Sequence, residues 1–263
     1  MDITGTLPPS PRLAVVGSRA TSSPYLHATR QVVAAASRAG WSVISGGALG
    51  VDAEAHRASL ELQVPTLAVL PLGSDRPYPE ANLPLFAALE RQPRGGLYWH
   101  QPRGTRPTRG MFASRNRIVV ELSDRVVVVA AAVRSGSVQT GRLARRAGRP
   151  LAVITGTQGV GKLLLEGAAC LGAPDSADLM SRTIQWLRGE ATSPPCSSWP
   201  PALHQLEALV REGGRELHTG SRLAEGRLDL ASLLEAELRG LLVEVAPGHF
   251  LCARRLRSAG EAG

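Results

Sequence analysis

The side chains best suited to chemistry in this sequence are arginines set among small polar residues. Arg115, Asn116 and Arg117 stand together in segment 112–118, FASRNRI. An apolar run at 13–16 ends in Gly17-Ser18-Arg19, and another at 41–44 ends in Ser45-Gly46-Gly47-Ala48-Leu49-Gly50. A third, at 125–131, is followed by Ser135-Gly136-Ser137. Guanidinium groups hold phosphate oxygens through a planar fork. Glycine-rich turns before a helix offer backbone N–H groups to the same kind of ligand. These types point to anion binding, with a nucleic-acid backbone as the anion. Segment 77–82, PYPEAN, adds Tyr78 and Asn82, which its two prolines would present on a rigid stretch.

Bond-breaking chemistry is not indicated, and no catalytic residue is assigned. Ser18, Ser45, Ser135 and Ser137 lack an evident histidine partner, and no motif pairs Asp52 with Asp75. Asp52 suits the N-cap of a helix at 53–60, and His56 reads as structural. Cys170, Cys196 and Cys252 are widely separated and form no CxxC pair, so no disulfide framework, metal site or cofactor is expected. Segment 156–163, GTQGVGKL, imitates a phosphate-binding P-loop. Leu163, however, occupies the place where magnesium needs a hydroxyl, and the loop follows the last clear strand, so it is read as a decoy.

These residues need elements to position them. The chain has 263 residues, 43% of them hydrophobic and only 4% aromatic, enough for an aliphatic core and a second small domain. Its net charge of +8 favours a polyanionic partner, and its only lysine is Lys162. Strands are expected at 13–16, 41–44, 66–70, 95–99, 125–131 and 151–154, and helices at 25–39, 53–60 and 83–90. A further helical pattern carries Arg142, Arg145, Arg146 and Arg149, read mostly as solvated. The alternation predicts an α/β fold, a Rossmann-like doubly wound and mostly parallel sheet with its ligand at the loops after the strands. The arginines of loop 101–109, QPRGTRPTR, would act there as an electrostatic funnel.

Residues 1–11 read as a loose N-terminal segment, 12–188 as the Rossmann-like domain and 189–201, GEATSPPCSSWPP, as a linker. Residues 202–257 read as a small winged-helix domain, with helices at 202–211, 217–224 and 228–239 and a hairpin at 243–252 turning at Pro247-Gly248. The N-terminus lacks the basic and apolar regions of a signal peptide, and no apolar run is long enough to span a bilayer. A cytoplasmic location without membrane contact is expected.

The motifs GSR at 17–19, SGGALGVDAEAH at 45–56, GSDRPYPEAN at 73–82, FASRNRI at 112–118 and RSGSVQTGRLARRAGRP at 134–150 stand in the order found in the DprA/Smf family of DNA-processing proteins. The sequence resembles that family over 13–252, including the winged-helix tail at 233–250. The resemblance implies a core that binds single-stranded DNA, forms a homodimer and loads RecA recombinase in natural transformation. By position it assigns nucleic-acid binding to Gly17, Ser18, Arg19, Ser45, Gly46, Gly47, Gly50, Asn82, Arg115, Asn116, Arg117, Ser135, Gly136 and Ser137. Of the aromatics, Tyr78, Phe86 and Phe112 are candidates to stack a base, with Phe86 and Phe112 read as core. Leu49, Ala113 and Glu121 depart from the family pattern, which usually has Arg, Pro and Gly there.

Two rival readings are a phosphoribohydrolase-like nucleotide enzyme and a nucleotide sensor. The first requires a glutamate that segment 132–140 lacks, and the second requires a DNA-reading helix. Helix 228–239 carries Asp229, Glu235 and Glu237 against Arg239, and acidic side chains repel a phosphate backbone. This domain is therefore expected to contact protein or pack on the core. The segment from Pro201 onward should give no gel shift with duplex DNA at low salt, and a shift would refute that expectation.

Overall fold

Runs of Val, Leu, Ile and Ala with no polar alternation can be buried only in strands covered on both faces. A computed structural model, describing residues 2–190, 216–218, 236, 242–246 and 249–252, shows that arrangement. In chain order the elements are β1 Asp2–Gly5, β2 Arg12–Val16, α1 Ser23–Arg38, β3 Ser42–Ser45, α2 Val51–Glu61, β4 Thr66–Leu70, α3 Leu83–Glu90 and β5 Gly96–Trp99. There follow α4 Arg109–Glu121, β6 Arg125–Val128, α5 Gly136–Arg146, β7 Leu151–Ile154, α6 Gln158–Leu165, β8 Ala169–Gly172 and α7 Leu179–Leu187. The strands form one sheet in the order β1-β5-β4-β3-β2-β6-β7-β8, parallel except for β1.

The winding starts at β2, runs outward through β3 and β4 to β5, then returns to the other side of β2 with β6. The fold is thus the expected doubly wound Rossmann-like sheet. Its direction reverses around β2, and a reversal opens a crevice at the carboxyl ends of the strands because the flanking loops diverge. Period-two alternation divides the core. Leu13 and Val15 of β2 face α1 and α7, packing with Val32 and Trp186, whereas Ala14 and Val16 face Val119 of α4 and Leu163 of α6.

Both edges of the sheet differ from expectation. Residues 1–11 are not uniformly loose: β1 pairs antiparallel with β5, and Trp99 Nε1 donates to Thr4 Oγ1 at 2.8 Å. All four β1 residues are exposed, so no apolar pattern announces a strand that exists to cover an otherwise unpaired edge. At the other edge β8 adds a strand not foreseen, clamped by Arg182, whose Nε and Nη2 donate to Leu171 O and Cys170 O at 2.7 and 2.9 Å. β6 leaves its ladder after Val128, three residues earlier than expected, although 129–131 stay buried.

A second, antiparallel sheet comprises β9 Glu216–His218, β10 Leu242–Ala246 and β11 His249–Cys252 in the order β10-β11-β9. The strands of the expected hairpin are present. At 216–218 the chain pairs with β11 as a strand where a helix from 217 was expected, because the free edge of β11 offers a ladder that local propensity does not register. Of the expected helix 228–239 only Ala236 is described, and it is helical and buried; helix 202–211, the hairpin turn and linker residues 191–201 lie outside the described residues. No described helix is long and apolar enough to cross a membrane.

His56 is fully buried in α2, with Nδ1 2.9 Å from Thr66 Oγ1 of β4, a structural role that ties helix to sheet. Burial, assisted by the positive charge of Arg115, lowers its pKa from the ordinary 6.5 to about 3. The unfolded chain therefore takes up a proton that the folded one refuses. Stability from this group is complete above pH 6.5 and is lost as pH falls toward 3, at about 1.4 kcal/mol per pH unit. Denaturant unfolding should show roughly 2 kcal/mol lost between pH 7 and 5 from His56. His56→Gln should flatten that dependence, and an unchanged slope would refute the assignment.

Candidate functional site

A cleft of about 570 Å³ opens at the carboxyl ends of β2 and β6, where the winding reverses. The loop after β2 lines it with Gly17, Ser18, Arg19 and Ala20. α4 adds Phe112, Ala113, Arg115 and Asn116, and the start of α5 adds Ser135, Gly136, Ser137, Gln139 and Thr140. Ser135 caps α5, its Oγ accepting from Val138 N at 3.3 Å. The unsatisfied N–H groups and positive dipole end of α5 thus face the cleft, which suits an anion.

Beneath the cleft lies an ion pair. Asp52 is not the N-cap of α2; Gly50 holds that position and Asp52 lies inside the first turn. Its carboxylate is 3.6 Å from Arg115 Nη1 and accepts from Ala48 N at 3.4 Å, with both side chains buried. Burial raises the Asp52 pKa, opposed chiefly by Arg115 and then by the N–H groups of Ala48 and Gly17. Burial likewise lowers that of Arg115, opposed by Asp52. Each charge depends on the other to remain ionised away from water.

The glycine loop serves this pair more than it serves a ligand. A Cβ on Gly46 would collide with Arg115 Nη1, and a Cβ on Gly50, which has φ +73°, with the carbonyl oxygen of Ser18. The close backbone approaches expected toward a phosphate are therefore made to the protein's own guanidinium and to the Gly17–Arg19 turn. Ser45 is fully buried and donates to Val15 O at 2.6 Å. Gly47 packs against Leu70. Asn82 is buried and donates through Nδ2 to Gly47 O and Ala48 O at 3.0 and 3.2 Å. Ser45, Gly47, Gly50 and Asn82 build the loop and do not line the cleft, whereas Gly46 lines only a small recess beside it.

Arg117 is also absent from the cleft lining. Two residues along a helix point to different faces, and its Nε instead donates to Glu121 Oε1 at 2.8 Å in the solvent. Of the expected residues, Gly17, Ser18, Arg19, Arg115, Asn116, Ser135, Gly136 and Ser137 come together at the cleft. Gln139 and Thr140 were missed. Their signal was helical spacing, since Thr140 stacks one turn above Gly136 on the same face.

Phe112 is half-buried in the cleft wall and is not core, in contrast to Phe86, which is 3% exposed. The Arg19 guanidinium lies 5.6 Å from the Phe112 ring centroid, and Tyr78 meets Phe112 edge-on at 5.7 Å. Both aromatics, with Leu49 and Gly46, border the recess. Outside the cleft, Ser114 Oγ lies 2.9 Å from His100 Nε2, a pairing invisible at a separation of 14 residues. His100 Nδ1 has no hydrogen-bond partner among the described residues, so no acid orients that ring. The P-loop-like segment offers no open loop: α6 starts at Gln158, and Gly159 packs within 2.5 Å, from a notional Cβ, of the Ala131 and Ala132 carbonyls.

Residues 3–182 match the family model of DNA recombination-mediator protein A. A DprA relative from Mycobacterium tuberculosis is 34% identical over 243 residues, which are 89% of this chain and 60% of the relative. The chain thus spans less than two thirds of that relative's length. The structure of DNA processing protein A from Helicobacter pylori, described for its single-stranded DNA binding mode, superposes with a TM-score of 0.60 at 26% identity, covering 68% of this chain and 81% of that one. DprA from Streptococcus pneumoniae gives 0.55 at 32% identity, covering 61% and 58%.

The Asp52–Arg115 pair yields a stability prediction. Asp52→Ala strands a buried guanidinium and should cost about 3–5 kcal/mol in denaturant unfolding. Gly46→Ala, which must displace the same guanidinium, should also destabilise the fold. A loss below about 1 kcal/mol in Asp52→Ala, the size expected of a surface pair, would refute this role.

Proposed function

Because the chain belongs to the DNA recombination-mediator protein A family, DprA/Smf, we propose that it binds single-stranded DNA in the cleft between the Gly17–Ala20 turn, α4 and α5. The observation that carries this reading is the stacking of Arg19 on Phe112 beside the N-terminus of α5. One cleft then offers a cation and a helix dipole for phosphate and an aromatic face for an unstacked base. A duplex keeps its bases stacked on one another, so only a single strand can use both. The volume suits a group of nucleotide size.

Arg19 takes the phosphate, since no carboxylate pairs with it among the described residues, whereas Arg115 is engaged by Asp52. Asn116, Ser137 and Gln139 supply donors and acceptors for sugar and base edges. We read the work as binding, since segment 132–140 lacks the glutamate that the phosphoribohydrolase reading requires. We further infer, from the family membership, that the strand-bound form acts as a homodimer in the cytoplasm and hands its DNA to RecA recombinase during transformation.

Fluorescence anisotropy with an oligothymidylate tests this. Affinity should fall with salt by about 0.7 in log K per log salt for each phosphate neutralised. Arg19→Ala should lower both the affinity and that slope, whereas Arg117→Ala, outside the cleft, should change little. Equal affinity for duplex and single strand at low salt would overturn the reading.

A further inference from the structure

Two arginine-bearing loops continue the basic surface past the aromatic pair. The loop after β4 carries Arg76, two residues before Tyr78, and the loop after β5 carries Arg103 and Arg106 and leads into the turn of α4 that holds Phe112. Sequence alone reads the second loop as an electrostatic funnel with nothing to hold it in place. In the structure Asp75 Oδ2 accepts from Gly104 N at 2.9 Å, and Gly73 packs against Pro102 so closely that a Cβ there would lie 2.6 Å from its carbonyl oxygen. The N–H of Gly104 holds the Asp75 carboxyl below its usual range, with Arg76 and Arg103 adding to the effect. The three arginine side chains remain exposed.

Three guanidinium groups against Asp75 and Glu80 leave these loops net cationic. They join the cleft through Tyr78 and Pro71, which line the recess shared with Phe112 and Arg19. We propose that the rim formed by Arg76, Arg103 and Arg106 is a second phosphate-contacting surface, and that the bound strand runs from the α5 N-terminus across Phe112 and Tyr78 onto it. A strand leaving the aromatic pair has its next phosphates at this rim. A loop pinned by Asp75 holds its arginines in place without the ordering cost of a free one. This inference rests on the reading of the cleft as a single-strand site.

The test compares a short oligothymidylate of about four nucleotides, enough for the cleft alone, with one of about sixteen. The double variant Arg76→Ala/Arg103→Ala should bind the long strand about tenfold more weakly at low salt and lose about 1.4 from its salt slope, at 0.7 per phosphate. Its affinity for the short strand should match that of the unaltered protein. An unchanged long-strand affinity, or equal losses for both lengths, overturns the rim and leaves the cleft standing. Failure of the unaltered protein to bind either strand overturns both. Asp75→Ala separates a pinned rim from simple charge. Removing an anion should tighten binding if only net charge counts, and weaken long-strand binding if the loop must be held, so tighter binding would overturn the rim as drawn.

Discussion

The buried ion pair of Asp52 and Arg115 is the constraint around which the site is assembled. A guanidinium this deep is tolerable only with its counter-ion and with backbone close enough to exclude water. Both conditions dictate the surroundings. Asp52 must lie in the first turn of α2, Gly46 must lack a side chain, and the Gly17 turn must reach the carboxylate. α4, which carries Arg115, is thereby fixed against the carboxyl end of the sheet, and Phe112 and Asn116 are fixed with it.

The arginines of one short motif therefore divide their work. Arg115 holds the architecture from within, and Arg117 pairs with Glu121 on the surface. Arg19, from a different loop, remains for a ligand. The same economy holds for the chain's positive charge. Arg30 pairs with Glu54 and Glu61, Arg142 and Arg145 with Glu166, and Arg149 lies near Asp124. Exposed pairs of this kind add little stability, but they remove much of the overall charge from the faces where they lie. At the cleft, Arg19 has no carboxylate partner among the described residues, so a polyanion would be drawn there by steering as well as by contact.

The glycine-rich turns show how a motif can be right in place and different in purpose. A glycine before a helix permits a close approach, but the sequence does not say what approaches. At Gly46 it is Arg115, and at Gly50 it is the Ser18 carbonyl. Asn82, singled out as a ligand contact, instead braces the loop through the Gly47 and Ala48 carbonyls. Such residues shape a binding site from behind, and their substitution would act through the loop's position.

By itself the sequence determined the parts that local pattern encodes. Unbroken apolar runs specified the parallel inner strands, the patterns between them several of the helices, and the alternation of the two a ligand site at the loops after the strands. The small and basic residues after the strands marked that site as an anion site. Tertiary structure alone decided which of them reach it. Arg115 and Asp52 are 63 positions apart, and their pairing depends on α2 from one face of the sheet and α4 from the other meeting at its carboxyl end, which no local period records. The exposed strand β1 was hidden for a related reason: the unpaired backbone of β5, and not its own side chains, makes it a strand. Burial decided the rest, because a side chain's chemistry is set by the water it has lost and the neighbour that replaces it.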